Sequence, residues 1–105
     1  MIYGYARIST DKQNMERQIR NILAVNAQAK IYQEVFTGTK TTGRRKLEAL
    51  LKRVQSGDTI IFDSVSRMSR DAEEGYALYK ELYDKGIRLV FINEPYIDTD
   101  VYENA

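Results

Sequence analysis

Short β-prone runs alternate with helical stretches along the whole chain, and this alternation limits the fold more than any other feature. Ile2–Ile8 is apolar and β-prone, and a helical pattern follows over about Asp11–Ala27, with Met15, Ile19, Ile22 and Leu23 recurring on one face. Ile31–Phe36 reads as a second strand. Thr37-Gly38-Thr39-Lys40-Thr41-Thr42-Gly43 is a polar loop with two glycines. A helix over about Arg44–Gln55 places Leu47, Leu50, Leu51 and Val54 together, with Gly57 as its stop. Thr59–Phe62 is a buried strand. Ser64–Arg70 is a loop or short helical turn, and a helix over Asp71–Lys85 carries Tyr76, Tyr79, Leu82 and Tyr83. Gly86 closes that helix and Ile87–Ile92 is the fourth strand. Strands and helices alternating at these lengths predict an α/β fold: a small, mostly parallel sheet of about four strands with helices on both faces. The tyrosine stripe reads as core or subunit interface.

In such a sheet, ligands sit beyond the carboxyl ends of the strands. That edge is predicted to carry Ser9, the Gly38 loop, the Ser64–Arg70 segment and Glu94-Pro95. Arg7 and Ser9 are two residues apart in an extended strand, so they share a face. A guanidinium and a hydroxyl therefore emerge together where a helix begins. Helix-start N–H groups and the helix dipole favour an anion there. By itself a Ser-Thr pair before a helix is a capping signal, and Thr10 with Gln13 fits a capping box. Arg7 beside it, with Arg67 and Arg70 later, favours a phosphate.

Composition narrows the chemistry. With 105 residues, 43% hydrophobic and 30% charged, the chain has the makings of one folded domain rather than a disordered tail. It contains no histidine and no cysteine. No nitrogen- or sulfur-ligated zinc site and no Ser–His pair can be built from it, and a metal would need oxygen ligands alone. The absence of cysteine fits a reducing, cytoplasmic setting. No apolar run approaches the ~20 residues of a membrane span. The net charge of +1 conceals a gradient: residues 38–55 hold six bases against one acid, residues 71–105 nine acids against three bases. A basic stretch on a nearly neutral domain suits an anionic partner, although a solvated helix face would look the same.

The pieces Tyr5-Ala6-Arg7-Ile8-Ser9-Thr10, Gln13, Gln18, Arg44 and Ser66-Arg67-Met68-Ser69-Arg70 resemble the catalytic domain of the serine recombinases, the resolvase/invertase family. The resemblance covers essentially the whole chain. Ser66–Arg70 and the Tyr96-Ile97-Asp98-Thr99-Asp100 tail look more like the large integrase or transposon branch. The resemblance implies that Ser9 is a nucleophile that attacks a DNA phosphodiester, links to the 5′ phosphate and frees a 3′ hydroxyl. It places Arg7, Arg67 and Arg70 around the scissile phosphate. Gln13, Gln18, Arg44 and Arg45 are expected as phosphate or DNA contacts. It further implies no metal and no nucleotide cofactor, a double-stranded recombination site as substrate, and a homo-oligomer that assembles from dimer to tetramer. Residues 1–105 would form the catalytic domain, cut short before a long dimerisation helix and a DNA-binding domain, and weakly active or inactive alone.

The residue chemistry agrees on its own terms. Phosphoryl transfer asks mainly for positioning and charge stabilisation, and with histidine absent the arginines are what remains. Arginine forks match phosphate oxygens and stay charged. One departure stands out: much of the small-resolvase branch has Asp where this chain has Ser66, so a carboxylate acid or base at that position is not carried over. Which group takes the proton of Ser9 is left open. Two other readings stand beside the enzyme: a phosphate- or partner-binding regulatory module without chemistry, and a recombinase-derived domain that has lost cleavage.

Overall fold

The computed structural model describes residues 1–8, 12–35, 45–68 and 72–95. Eight elements follow in chain order: β1 (Ile2–Ile8), α1 (Lys12–Val25), β2 (Lys30–Val35), α2 (Arg45–Arg53), β3 (Thr59–Phe62), α3 (Val65–Met68), α4 (Ala72–Asp84) and β4 (Arg88–Phe91). The strands form one parallel sheet in the order β2-β1-β3-β4. The alternation therefore folds as the periodicity predicts, and the segment left between loop and turn closes into the short helix α3.

Strand alternation divides the core in two. Tyr3, Tyr5, Ile60, Phe62, Leu89 and Phe91 face α2, α3 and α4, where Leu47, Leu50, Met68 and Leu82 meet them. Phe62 is at the centre, edge-on to Tyr5 at 5.9 Å and stacked on Phe91 at 5.3 Å. Ala6, Ile8 and Ile61 face the other way, against Met15 and Ile22 of α1. The expected α2 face is thus observed, with Leu51 and Val54 partly buried at its margin.

Two expectations are corrected. On α1 the buried face is Met15, Gln18 and Ile22, and Leu23 is left exposed. Leu23 lies a further ~100° round the helix from Ile22, beyond the strip that touches the sheet. On α4, Leu78, Tyr79 and Leu82 pack on the core, while Tyr76 is 70% exposed and Tyr83 36%. The tyrosines therefore divide: Tyr79 belongs to the core, and the core half of the expectation does not hold for Tyr76 and Tyr83.

Gly86 and Gly4 each fix the geometry of a helix. Gly86 has φ +81° and ends α4 in a Schellman motif. Its N–H donates to Tyr83 O (3.0 Å) and the Ile87 N–H donates to Leu82 O (3.0 Å), while Ile87 and Leu82 join the same core. Gly4 lets α1 approach β1. A Cβ there would lie 2.6 Å from Ile22 Cγ2 and 2.8 Å from Ile31 Cδ1. Gly4→Ala is expected to destabilise by ~1–3 kcal/mol through overpacking, read as a lower denaturant midpoint with unchanged slope. An unchanged midpoint would show that α1 can retreat at no cost.

Candidate active site

β1 connects leftward to β2, and β3 connects rightward to β4. The carboxyl ends of β1 and β3 therefore flank a topological switch point, the usual place for a ligand in such a sheet. Arg7 is near the end of β1, and Ser64–Met68 follows β3 directly.

Arg7 lies on the same face of β1 as Tyr3 and Tyr5, and it is 5% exposed. Its Nη2 donates to Ser66 O at 2.6 Å, joining β1 to α3. Helix ends leave carbonyls unsatisfied, and a guanidinium there is favourable with the dipole. The other end of α3 is also held: the Val65 N–H donates to Glu94 Oε1 at 2.7 Å. A cation at the carbonyl end and a carboxylate at the amide end thus bracket the turn that carries Arg67. Arg67 is half-buried, and its Nε is buried with no acceptor among the described residues. A buried donor left unsatisfied costs ~1–3 kcal/mol, so it marks a place where an outside acceptor would be welcome.

Glu34 is a buried carboxylate on β2, 5% exposed. It accepts from the Tyr5 hydroxyl at 2.6 Å and from the N–H groups of Lys46 and Leu47 at 3.0 and 3.4 Å. It therefore caps the start of α2. The residue before α2 is Arg44, which has no side-chain acceptor and cannot cap. The negative charge also offsets the basic cluster that opposes the helix dipole.

The predicted site residues separate as follows. Arg7 and Arg67 are brought to one edge through the Arg7–Ser66 contact. Gln18 is not a surface contact for phosphate: it is fully buried on α1, and its amide is spent on the main chain of Arg7. Gln13 lies in the first turn of α1 and Arg45 opens α2, but their side chains are outside the described residues. Ser9, Arg44, Arg70 and the Gly38 loop also lie outside the described residues. Asp63, 6% exposed, accepts from Asn21 Nδ2 of α1 at 3.2 Å, on the sheet face opposite Arg7. Sequence reasoning misses Glu34 and Tyr5, and it gives Glu94 a place at the edge without a role. An acid on an inward position of a strand is the signal that could have found Glu34.

Among the described residues, no group of three or more His, Cys, Asp or Glu could hold a metal ion. Among the same residues, no helix is long and apolar enough to cross a membrane.

The molecule is a small parallel α/β domain with Arg7 and Arg67 brought to one edge of its sheet. The chain belongs to the resolvase N-terminal domain family, whose model matches residues 2–104. It is 32% identical to a resolvase of Clostridium perfringens over 100 residues, which is 94% of this chain and 52% of that protein. It is 34% identical to the transposon Tn501 resolvase of Pseudomonas aeruginosa over 96 residues, 91% of this chain and 49% of that one. The chain thus spans about half the length of these relatives. Its fold is that of a resolvase-family site-specific recombinase from Streptococcus pneumoniae, with a TM-score of 0.73 at 22% identity, covering 94% of this chain and 75% of that structure. The catalytic domain of TP901-1 integrase shares the fold at a TM-score of 0.65 and 21% identity, covering 94% and 81%. The assignment to the large integrase or transposon branch rests on the short motifs alone.

Proposed function

We propose that this domain breaks and rejoins double-stranded DNA at a recombination site, with Ser9 as nucleophile. The observation that carries the reading is the buried Nε of Arg67, which has no acceptor among the described residues and is next in sequence to the carbonyl that Arg7 holds. Family membership supports the same chemistry. The Ser9 oxygen bonds to phosphorus while the bond to O3′ breaks. Ser9 loses a proton and the departing 3′ oxygen gains one. The phosphoserine link retains the energy of the broken ester, so rejoining needs no ATP. Arg7, Arg67 and Arg70 balance charge on the phosphoryl oxygens, where oriented donors count most. Gln13 of α1, Arg45 of α2 and Arg44, its neighbour in sequence, contribute to phosphate or DNA contact. Asp63 is committed to Asn21 and is a poor choice as the base. Strand exchange would take place in a homo-oligomer growing from dimer to tetramer, in the cytoplasm.

The test uses the full-length protein and a nicked suicide substrate that traps the cleaved strand. Mass spectrometry is expected to find a 5′-phosphoryl link at Ser9, and Ser9→Ala is expected to form no covalent adduct. An adduct formed by Ser9→Ala at an undiminished rate would end the proposal.

A further inference from the structure

We infer that Gln18 is a positioning residue for the reaction, standing in for a strand that is missing beside Arg7. The inference rests on the proposed DNA cleavage, but its geometry is independent of it. In a parallel sheet, alternate residues direct their N–H and C=O to the same side. The Thr59 N–H donates to Met1 O, so the main-chain groups of Tyr3, Tyr5 and Arg7 also face β3. The β1–β3 register ends at Tyr5↔Phe62. Beyond it β3 turns toward β4, and Asp63 O accepts from the Asn93 N–H instead.

Gln18 fills the place of the next peptide. Its Oε1 accepts from the Arg7 N–H at 3.1 Å, and its Nε2 donates to Arg7 O at 3.0 Å. The second hydrogen on Nε2 is directed to Asn14 Oδ1 at 2.9 Å, one helical turn earlier. Both amide donors are thus used, which fixes which way the side chain faces. The residue is fully buried, so water cannot substitute for it. The amide therefore ties the last residues of β1 to α1 at the residue whose guanidinium holds α3, two positions before Ser9. Misplacing reacting groups by ~1 Å is enough to lose ~100-fold in rate.

Only an amide, or a neutral acid, offers one acceptor and one donor in this arrangement. Gln18→Met keeps the size and loses both bonds to Arg7 and the one to Asn14. Gln18→Glu keeps the acceptor, sets a second oxygen against Arg7 O, and regains a donor when protonated. Burial raises the pKa of such a carboxyl, so protonation would fall within a workable range.

The experiment measures single-turnover adduct formation by the full-length protein at saturating suicide substrate. Gln18→Met is expected to slow it by ~10–100-fold, with DNA affinity within ~3-fold of wild type, since the lost interaction would act on rate and not on binding. The ratio of Gln18→Glu to wild-type rate is expected to rise as pH is lowered from ~8.5 to ~6, following protonation of the buried carboxyl. A role through size and packing alone would give no such recovery, and the denaturant midpoint taken at the same pH values separates a change of rate from a change of stability. Amide exchange provides a readout separate from cleavage: the Arg7 N–H should lose protection in Gln18→Met while those of Tyr3 and Tyr5 keep it. If wild type cleaves and both variants stay within ~3-fold of it at every pH, the role of Gln18 is overturned. A wild type that forms no adduct overturns instead the functional reading beneath it.

Discussion

Arg67→Lys is expected to cut DNA ~10²–10³-fold more slowly than wild type in single-turnover cleavage, the scale of removing one well-placed donor from a developing oxyanion. The change conserves charge, so simple attraction for DNA should persist. What it removes is the planar fork and, with it, the Nε donor that the fold buries without an acceptor among the described residues. A lysine carries its three donors at the tip of a flexible stem and cannot present one at that depth. Rate and rate over affinity should therefore fall together, the mark of an interaction made mainly in the transition state. Circular dichroism and denaturant midpoint should show little change, because the lost donor makes no hydrogen bond to the described residues. A lysine variant cleaving within ~3-fold of wild type would mean that the buried Nε does not meet the phosphate, and that Arg67 acts only through its charge.

Glu34→Leu is expected to lower stability by ~3 kcal/mol or more, on the scale of ~1.5–3 kcal/mol for each hydrogen bond to a charged group, with partial compensation by solvent and relaxation. Burying a carboxylate is costly, and an apolar replacement of a buried charge can be neutral when all its partners are also replaced. Here they are not. The Tyr5 hydroxyl and the N–H groups of Lys46 and Leu47 would lose the acceptor they share. Tyr5→Phe alone should cost less, since it removes one of three donors. The double variant should lose less than the sum of the two, because a phenylalanine ring carries no hydroxyl to be left unsatisfied. The measurement is a double-mutant cycle of denaturant unfolding. Strict additivity would show that Tyr5 and Glu34 do not depend on one another. Fraying of α2 would also shift Arg45 at its first turn, so cleavage should weaken even in molecules that remain folded.

Much of this molecule was open to a reader of the chain alone, and the reason is local. Val, Ile, Tyr and Phe alternate where strands form. Leu47 and Leu50 recur where a helix must bury one side. Gly86 ends a helix because a positive φ costs it nothing. Right-handed crossovers then leave few ways to order four parallel strands, and the observed order is one of them. That Arg7 and the segment carrying Arg67 share the carboxyl edge of the sheet was also legible, since each follows from the end of a strand.

The supporting contacts were hidden because each joins residues remote in sequence. Gln18 has the composition of a surface helix residue; only the early divergence of β3 from β1 makes an interior amide necessary there. Glu34 looks like the solvent side of an edge strand until the start of α2 is laid across it and its N–H groups take that carboxylate as acceptor. Leu23 and Tyr76 are apolar or aromatic yet exposed, since burial depends on the width of the contact between helix and sheet, which periodicity does not report. Propensity and pattern thus determined the elements and their order along the chain. Which polar side chains pair with which backbone groups was decided by tertiary packing, because a hydrogen bond depends on position in space and the chain's order does not encode that distance.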